Sequence, residues 1–183
     1  MKAVMISIRP RYTSLIGSGR KTLEIRKKRP NLAPPFKCYI YETHGKADFP
    51  WISEDGYHIF RGRGKVIGEF ICDHIIPIHV GIDGLIPTMV DGIELLHSML
   101  TPQEIVSYIG NGQTGYGWHI SELKIYDKPK ELSEFFVWKK CNSCRRSGYE
   151  STACGYDEDC KVPAMIVRPP QSWCYVEELE ETA

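Results

Sequence analysis

The residues with the greatest chemical potential lie in one short stretch near the start of the chain, positions 19–26, which reads GRKTLEIR. Its leucine and isoleucine alternate with polar residues, and successive side chains of a β-strand point to opposite faces. The two apolar side chains would enter a core, while Glu24 and Arg26 would share the other face. Gly19 can form a sharp turn that brings Lys21 to the same place. This predicts a cluster of an ammonium, a carboxylate and a guanidinium group, which is either a ligand site or an exposed ion pair contributing little stability.

The spacing Gly-x-Lys-x-x-Glu-x-Arg in this stretch resembles the signature of the ASCH domain, a branch of the PUA-like β-barrels, with all four positions present. A strand over 3–8 and a short helix over 11–18 come before it, as in that family. Residues 116–120 (YGWHI) resemble the family's later aromatic strand. The resemblance covers most of residues 1–128 and the closing strand, and it excludes the cysteine-rich stretch 141–160.

The composition is that of an ordinary globular protein, because 42% of the 183 residues are apolar, 25% are charged and the formal net charge is zero. This length suggests one domain with an embellishment. The charge is unevenly placed: segment 9–29 holds eight arginines and lysines against one acid, whereas residues 177–181 include four glutamates. A local basic cluster predicts an anionic partner. We interpret the glutamates as a solvated chain end.

Membrane and secretory signals are missing from the sequence. The longest apolar-looking stretch, 66–80, is interrupted by Glu69, Asp73, His74 and His79 and falls short of the roughly 20 apolar residues that a membrane helix needs. The first apolar run, 4–8, is too short for a signal peptide. We therefore expect a cytoplasmic protein with reduced thiols and no membrane partner.

The hydrophobic pattern predicts an α+β, mainly β fold of five to six strands with short helices, which suggests a small closed barrel; the resemblance implies that this barrel is PUA-like. Strands are expected over 3–8, 22–28, 36–43, 65–77, 118–126 and 172–177, and helices over 11–18, 92–99 and 102–109. Residues 45–64 are expected to form a long loop or hairpin, and 129–138 a connector. Thr101 is a suitable N-cap for the last helix, with proline and an acid following it. We expect residues 1–138 to form the barrel, 139–162 a cysteine-rich insert, and 163–183 a return to the barrel with a closing strand and an acidic tail.

Four cysteines fall within twenty residues, in a segment too polar to form an apolar core; they are Cys141, Cys144, Cys154 and Cys160. Four thiolates satisfy a tetrahedral Zn²⁺ ion. In a reducing compartment a bound metal ion is a more stable cross-link than a disulfide, so the sequence predicts one structural zinc. The second pair, with five intervening residues, is looser than a usual knuckle, and two disulfides are the alternative.

The histidines are scattered, and no His-x-Glu or His-Glu-x-x-His motif of a catalytic zinc occurs. A lone histidine in a strand is more often structural than functional. His119 is the exception that we keep open, since it follows Trp118 and would point to the opposite face of its strand.

The resemblance to ASCH and PUA-like domains implies a module that binds RNA or a nucleotide, with a cleft near the signature. Lys21, Glu24 and Arg26 would recognise a nucleobase there. Nearby cations would hold phosphates, and aromatic rings would stack unpaired bases. The candidate binding residues outside the signature are Arg9, Arg11, Arg20, Lys27, Lys28, Arg29, Trp51, Tyr116 and Trp118. Protein partners are not predicted.

Two alternatives to RNA binding remain. Some small ASCH proteins resemble amidohydrolases acting on N4-acylated cytidine; by that resemblance the catalytic set would be Lys21, Glu24 and Glu69. Here Glu24 occupies the position of the family's threonine nucleophile, and Thr22 lies two residues too early to replace it. The third hypothesis is a zinc-stapled adaptor for protein interactions without a nucleotide ligand.

Overall fold

Strands dominate the computed structural model, which describes residues 1–44, 64–84, 95–140 and 161–179. In chain order the elements are β1 (Lys2–Ile8), α1 (Pro10–Gly17), β2 (Leu23–Arg26), β3 (Phe36–Glu42), β4 (Val66–Cys72), β5 (Ile75–His79), α2 (Pro102–Ile109), β6 (Thr114–His119), β7 (Ser121–Lys130), a 3-10 turn (Leu132–Glu134), β8 (Phe136–Lys140), β9 (Lys161–Met165) and β10 (Trp173–Glu177).

The first and last strands lie side by side in a five-stranded sheet of order β10-β1-β3-β4-β7. Only the β1–β3 pair is parallel in this sheet, with Val4 opposite Cys38 and Ile8 opposite Glu42. A parallel pair needs a crossover, and α1 with β2 supplies it. β10 pairs antiparallel with β1, so the last described strand lies beside the first at the edge of this sheet.

A three-stranded sheet of order β2-β6-β5 carries the signature strand. In the β2–β6 register, Glu24 lies opposite Trp118 and Arg26 opposite Tyr116. Helix α2 begins with the predicted cap: the Thr101 hydroxyl accepts from the Glu104 amide, and the Glu104 side chain accepts from the Thr101 amide. Such a capping box satisfies two otherwise unpaired backbone donors and fixes where the helix begins.

Two extended segments each change sheet part-way. β4 ends at Cys72, and the chain continues as β5 from Ile75 in the other sheet. The sequence predicted one strand over 65–77, and that prediction was wrong at this point. β6 likewise ends at His119, and β7 begins at Ser121 in the five-stranded sheet. The two changes lie together, because the His119 amide donates to the His74 carbonyl over 3.1 Å. We call this place the corner.

Three apolar clusters hold the layers together. One face of the five-stranded sheet, including Ile6 and Ile40, packs with Trp118 of the smaller sheet. The opposite face packs under Phe135 and Ile166. On the outer side of the smaller sheet, α2 packs against a third cluster that includes Ile25. The inner face of β2, which carries Glu24, therefore lies between two sheets rather than in solvent.

The mainly β, α+β class is confirmed, but the described residues form three separate sheets rather than a closed barrel. The third sheet pairs β8 with β9; neither strand was predicted, since 129–138 was expected to be a connector. Most of the predicted loop 45–64 falls outside the described residues, as do positions 92–94 of the predicted helix 92–99; of the remaining positions, 95 and 96 are helical and 97–99 form a turn. None of the described helices is long and apolar enough to cross a membrane.

Candidate ligand-binding site

A tight turn after α1 sets the position of Lys21. Gly19 has a φ of +69°, in the left-handed region that favours glycine. Its amide donates to the Ile16 carbonyl and the Lys21 amide donates to the Leu15 carbonyl, both over 2.9 Å. These bonds fold the chain back against the helix, so that Lys21 enters the molecule beside β2.

Lys21 is held by contacts from every side. Its side chain is only 1% exposed, and Nζ lies 2.8 Å from the Leu23 carbonyl, 2.7 Å from the Ser98 carbonyl and 3.1 Å from Glu24 Oε2. It also lies 5.4 Å from the centroid of the Tyr12 ring. An ammonium group has three N–H donors, and these three oxygens use all of them. Lys21 is thus placed as a fixed positive charge.

Glu24 joins the two cations of the signature. Its side chain is 7% exposed, and its other oxygen, Oε1, lies 3.1 Å from Arg26 Nη2. The same nitrogen of Arg26 donates to the Ser7 carbonyl over 2.6 Å, while Arg26 Nε is buried without a hydrogen-bond partner. We call Lys21, Glu24 and Arg26 the buried triad. The triad is not an exposed ion pair, because all three side chains are at most 11% exposed. Removal of one partner would leave an uncompensated buried charge, which is strongly destabilising.

The buried triad lines a cavity of about 630 Å³. The end of β1, the start of α1, β2, α2 and the residues just before β10 form its walls. The polar lining residues outside the triad include one further cation, Arg9, and one further carboxylate, Glu104; the others are Ser7, Tyr12, Thr43, Gln103, Ser107, Tyr108, Gln171 and Ser172. Sites for small ligands span roughly 300–1,000 Å³ and combine apolar walls with a few convergent polar groups, so this cavity has the size and lining of such a site.

Three cations of the basic segment outside the buried triad each lie over a tyrosine ring, and two of these rings, those of Tyr12 and Tyr108, line the cavity. Arg11 lies over the Tyr12 ring at 5.5 Å, and Lys27 lies over the Tyr108 ring at 5.5 Å. Arg29 lies 5.9 Å from the Tyr116 ring centroid. Contacts of this kind contribute about 0.5–1 kcal/mol at exposed sites, and they place cationic groups next to aromatic rings of the cavity wall.

The remaining basic candidates lie on the same part of the chain. Arg9 is exposed and lines the cavity. Arg20 and Lys28 are exposed in the turns before and after β2. Arg11 makes only a long ion pair, 3.9 Å, with Glu104 of α2. Among the predicted cations outside the buried triad, Arg9 lines the cavity, whereas the others are not among its lining residues; these are Arg11, Arg20, Lys27, Lys28 and Arg29.

The predicted stacking residues separate into different environments. Trp118 is fully buried and packs against Phe36 and Trp173, so its ring is part of the core. Tyr116 is half-buried beside Arg29. Trp51 lies outside the described residues. The burial of Trp118 follows from the alternation of side chains along β6, which places its ring on the inner face of the sheet, the same face that carries Glu24.

Glu69, the predicted downstream acid of a hydrolase, is not among the residues that line the cavity. Its carboxylate accepts a 2.5 Å hydrogen bond from the Tyr126 hydroxyl and lies 3.5 Å from Lys37 Nζ. Burial and this hydrogen bond raise the pKa of Tyr126. The structure therefore places Glu69 in a different polar cluster from Lys21.

Sequence reasoning missed several residues of the cavity. Tyr12 and the α2 residues Gln103, Ser107 and Tyr108 line the cavity, and Ser98 holds Lys21 through its carbonyl. None of these five belongs to a motif, and all except Tyr12 lie roughly 80 residues from Lys21 along the chain. The sequence gives a local indication for Tyr12 alone: it lies three positions after Arg9 at the start of a helix, a spacing that brings two side chains close together. The four predicted zinc ligands, Cys141, Cys144, Cys154 and Cys160, lie outside the described residues, and zinc binding there stays a prediction.

Comparison with solved structures decides what kind of fold carries this cavity. ASCH from Zymomonas mobilis matches with a TM-score of 0.53 and 17% identity, over 96% of this chain and 88% of that one. A tyrosine-to-phenylalanine mutant of ZmASCH gives 0.56 and 16%, over 97% and 92%. A serine-to-alanine mutant gives 0.56 and 16%, over 96% and 89%. The chain has the ASCH fold. No model of a known protein family matches the sequence, and no curated protein matches it.

Proposed function

We propose that the cavity beside the buried triad binds a nucleobase or nucleotide, most readily one within single-stranded RNA. The observation that carries this proposal is the placement of three buried charges on the wall of a cavity of about 630 Å³. Buried charges are weak evidence for stability by themselves, whereas charges that converge on a ligand-sized cavity are typical of recognition sites.

The charge of the site favours a ligand with anionic and polar groups. Three cations line the cavity, namely Lys21, Arg26 and Arg9, against the two carboxylates of Glu24 and Glu104, which leaves a net positive charge. A carboxylate offers about four lone-pair positions, so Glu24 can accept from a base amino group while it holds both cations. The surrounding positive charge favours the phosphates of the same ligand.

The tyrosines extend the site beyond one nucleotide. Tyr12 and Tyr108 line the cavity and each lies beneath a cation, Arg11 or Lys27. Base stacking on aromatic rings contributes about 1–3 kcal/mol per base and tolerates any sequence. A strand of RNA would therefore place one base in the cavity and its phosphates along the basic residues.

The hydrolase alternative has less geometric support. A general base needs a free lone pair within reach of its substrate, but Lys21 Nζ is engaged with three oxygens. Glu69 is engaged with Tyr126 and Lys37 instead of the cavity. Binding without turnover is accordingly the function that we favour, and the adaptor hypothesis leaves the cavity without a use.

Calorimetric titration with nucleosides, nucleotides and short single-stranded RNA tests the proposal. Glu24→Gln keeps the shape of the side chain but removes its charge, and we expect it to weaken binding at least tenfold. Lys128→Ala is the matched control, since Lys128 is exposed on β7 and does not line the cavity. Equal affinities for wild type and Glu24→Gln, in proteins with the same circular dichroism spectrum, would refute the proposal. Turnover of N4-acetylcytidine that is lost in Lys21→Ala would establish the hydrolase instead.

A further inference from the structure

Three metal-ligating side chains meet at the corner, where both long segments change sheet. Asp73 and His74 form the connection between β4 and β5, and His119 is the last residue of β6. The β5–β6 register pairs Ile75 with Trp118, and continuing it by one residue places His74 opposite His119. The three residues therefore stand on paired strand ends rather than on a long loop.

The side chains of these three residues are already in contact. Asp73 Oδ1 lies 2.7 Å from His119 Nδ1 and 3.0 Å from His74 Nδ1. The two imidazole rings stack with centroids 4.4 Å apart and planes inclined by 22°. The three ligand atoms all lie within 4.8 Å of one another. Asp73 and His74 are exposed and His119 is half-exposed, so an ion can reach them from solvent.

We propose that Asp73, His74 and His119 form a binding site for one divalent first-row transition cation, with Zn²⁺ as its natural probe. Two imidazoles and one carboxylate are ligands that suit such ions, and three protein ligands leave a position for water. A competing explanation is that Asp73 is only a shared hydrogen-bond acceptor for two histidines. That explanation accounts for the short contacts but predicts no response to the metal.

Coordination requires small changes that exposed side chains can make. Bonds of about 2.0–2.1 Å in a tetrahedral site separate ligand atoms by about 3.3 Å. The carboxylate oxygen, now 2.7 and 3.0 Å from the two Nδ1 atoms, must therefore move slightly away from each of them. One ring must also rotate out of the stack, because the lone pairs of nearly parallel rings do not converge. Each neutral imidazole then carries its proton on Nε2 and uses the Nδ1 lone pair for the ion.

The bound ion would tie together the two places where the chain passes from one sheet to the other. The corner is otherwise held by backbone bonds such as His119 N to His74 O, 3.1 Å, and by the Ser121 hydroxyl, which donates to the Ile71 carbonyl over 2.9 Å. An ion on Asp73, His74 and His119 adds side-chain links between the same segments. Binding would therefore stabilise the folded state, by an amount that grows with the logarithm of the free ion concentration once that concentration exceeds the dissociation constant.

Nuclear magnetic resonance of histidine ring nitrogens, in untagged protein titrated with Zn²⁺, separates the two explanations. We expect the Nδ1 signals of His74 and His119 to shift together, and those of His79 to stay unchanged. His79 is the matched control, since it is exposed on β5 with Nδ1 hydrogen-bonded to the Thr114 hydroxyl at 2.9 Å. Movement of all three histidines alike would indicate non-specific binding and overturn the proposal, as would no movement of His74 and His119.

Calorimetry with variants gives an independent measurement. His119→Gln and Asp73→Asn should each weaken one class of Zn²⁺ site at least tenfold, whereas His79→Gln should leave it unchanged. All variants keep the seven cysteines of the chain, so zinc held by thiolates contributes equally to every titration. The metal-free variants should melt within about 2 °C of wild type, because these side chains are exposed. Unchanged Zn²⁺ binding in His119→Gln and Asp73→Asn would overturn the proposal even if the histidine signals shift.

Discussion

At the scale of single residues, Glu24 is the centre on which two buried cations depend. Its two oxygens separately face Lys21 and Arg26, each over 3.1 Å. The sequence predicted that Glu24 and Arg26 share a strand face and pair, and they do. It did not predict that the face is covered, because one strand pattern carries no information on which distant segment packs above it. Ser98, whose carbonyl accepts a hydrogen bond from Lys21, lies in such a distant segment.

Replacing Glu24 with alanine should lower the free energy of unfolding by about 3–5 kcal/mol, because two buried cations then lose their common partner. Chemical denaturation of both proteins measures the difference. Arg11→Ala is the control, since the Arg11–Glu104 pair is long and exposed and should contribute less than about 1 kcal/mol. A loss below 1 kcal/mol for Glu24→Ala would contradict the importance that we assign to the triad.

Cys38 and Cys72 should resist alkylation in the folded protein. Both thiols are fully buried, and burial raises the pKa of Cys38 well above its usual value and that of Cys72 to about 12. The thiolate is the reactive form. At pH 8.5 an ordinary cysteine is about half ionised, whereas a thiol of pKa about 12 is ionised to roughly 0.03%.

Peptide mass spectrometry after brief iodoacetamide treatment at pH 8.5 measures this protection. The same treatment in denaturant is the control, in which both peptides should be fully labelled. Rapid labelling of Cys72 in the folded protein would mean that the β4 end opens readily, and it would contradict the burial seen here.

At the scale of elements, local patterns predicted most strands and helices, while changes of sheet escaped them. The predicted segment 22–28 became β2, and 102–109 became α2 with its predicted cap. Asp73 and His74 interrupt the apolar segment 65–77, but a polar pair within a strand pattern does not show that the chain leaves one sheet for another. That step exists because β5 pairs with β6 in a second sheet, and such long-range pairing is not encoded in one segment.

The turn that delivers Lys21 also has a residue-specific requirement. Gly19→Ala should lower the free energy of unfolding by about 1–2 kcal/mol, because a residue with a Cβ is disfavoured at φ +69°. The cause would be backbone strain alone, since no atom lies within 4 Å of an added Cβ. Gly17→Ala is the control: Gly17 ends α1 in helical conformation, where alanine is preferred over glycine. Equal effects of the two substitutions in thermal denaturation would count against this account.

At the scale of the whole molecule, a zero net charge conceals a separation of charge along β1. The acidic residues Glu177 and Glu178 lie near its start, paired with the Met1 amino group at 3.8 Å and with Lys37 at 3.2 Å. The cations that line the cavity, Arg9, Lys21 and Arg26, lie near the end of β1, where Arg26 donates to the Ser7 carbonyl. Seven strand residues span about 20 Å, so these cations lie apart from Glu177 and Glu178 and favour an anionic ligand in the cavity.

Reversing the charge of Lys27 and Lys28 together should weaken RNA binding for every sequence tested, because phosphate contacts carry no sequence information. Lys27 lies over Tyr108 at the cavity, and Lys28 is exposed beside it. For single strands the logarithm of affinity falls with that of salt concentration by about 0.7 for each neutralised phosphate. Loss of two contacts should therefore reduce the slope by about 1.4.

Fluorescence anisotropy with labelled single-stranded RNA, over a series of salt concentrations, measures both affinity and slope. Lys128→Glu with Lys161→Glu is the matched control, since it changes the net charge by the same amount at exposed positions on β7 and β9. If overall charge alone governed binding, the two double variants would lose affinity equally. A larger loss and a smaller slope only for the Lys27 and Lys28 variant would locate the phosphates beside the cavity, because removing specific contacts changes the number of released counterions whereas a distant charge does not. Equal slopes for the two variants would remove these lysines from the interface.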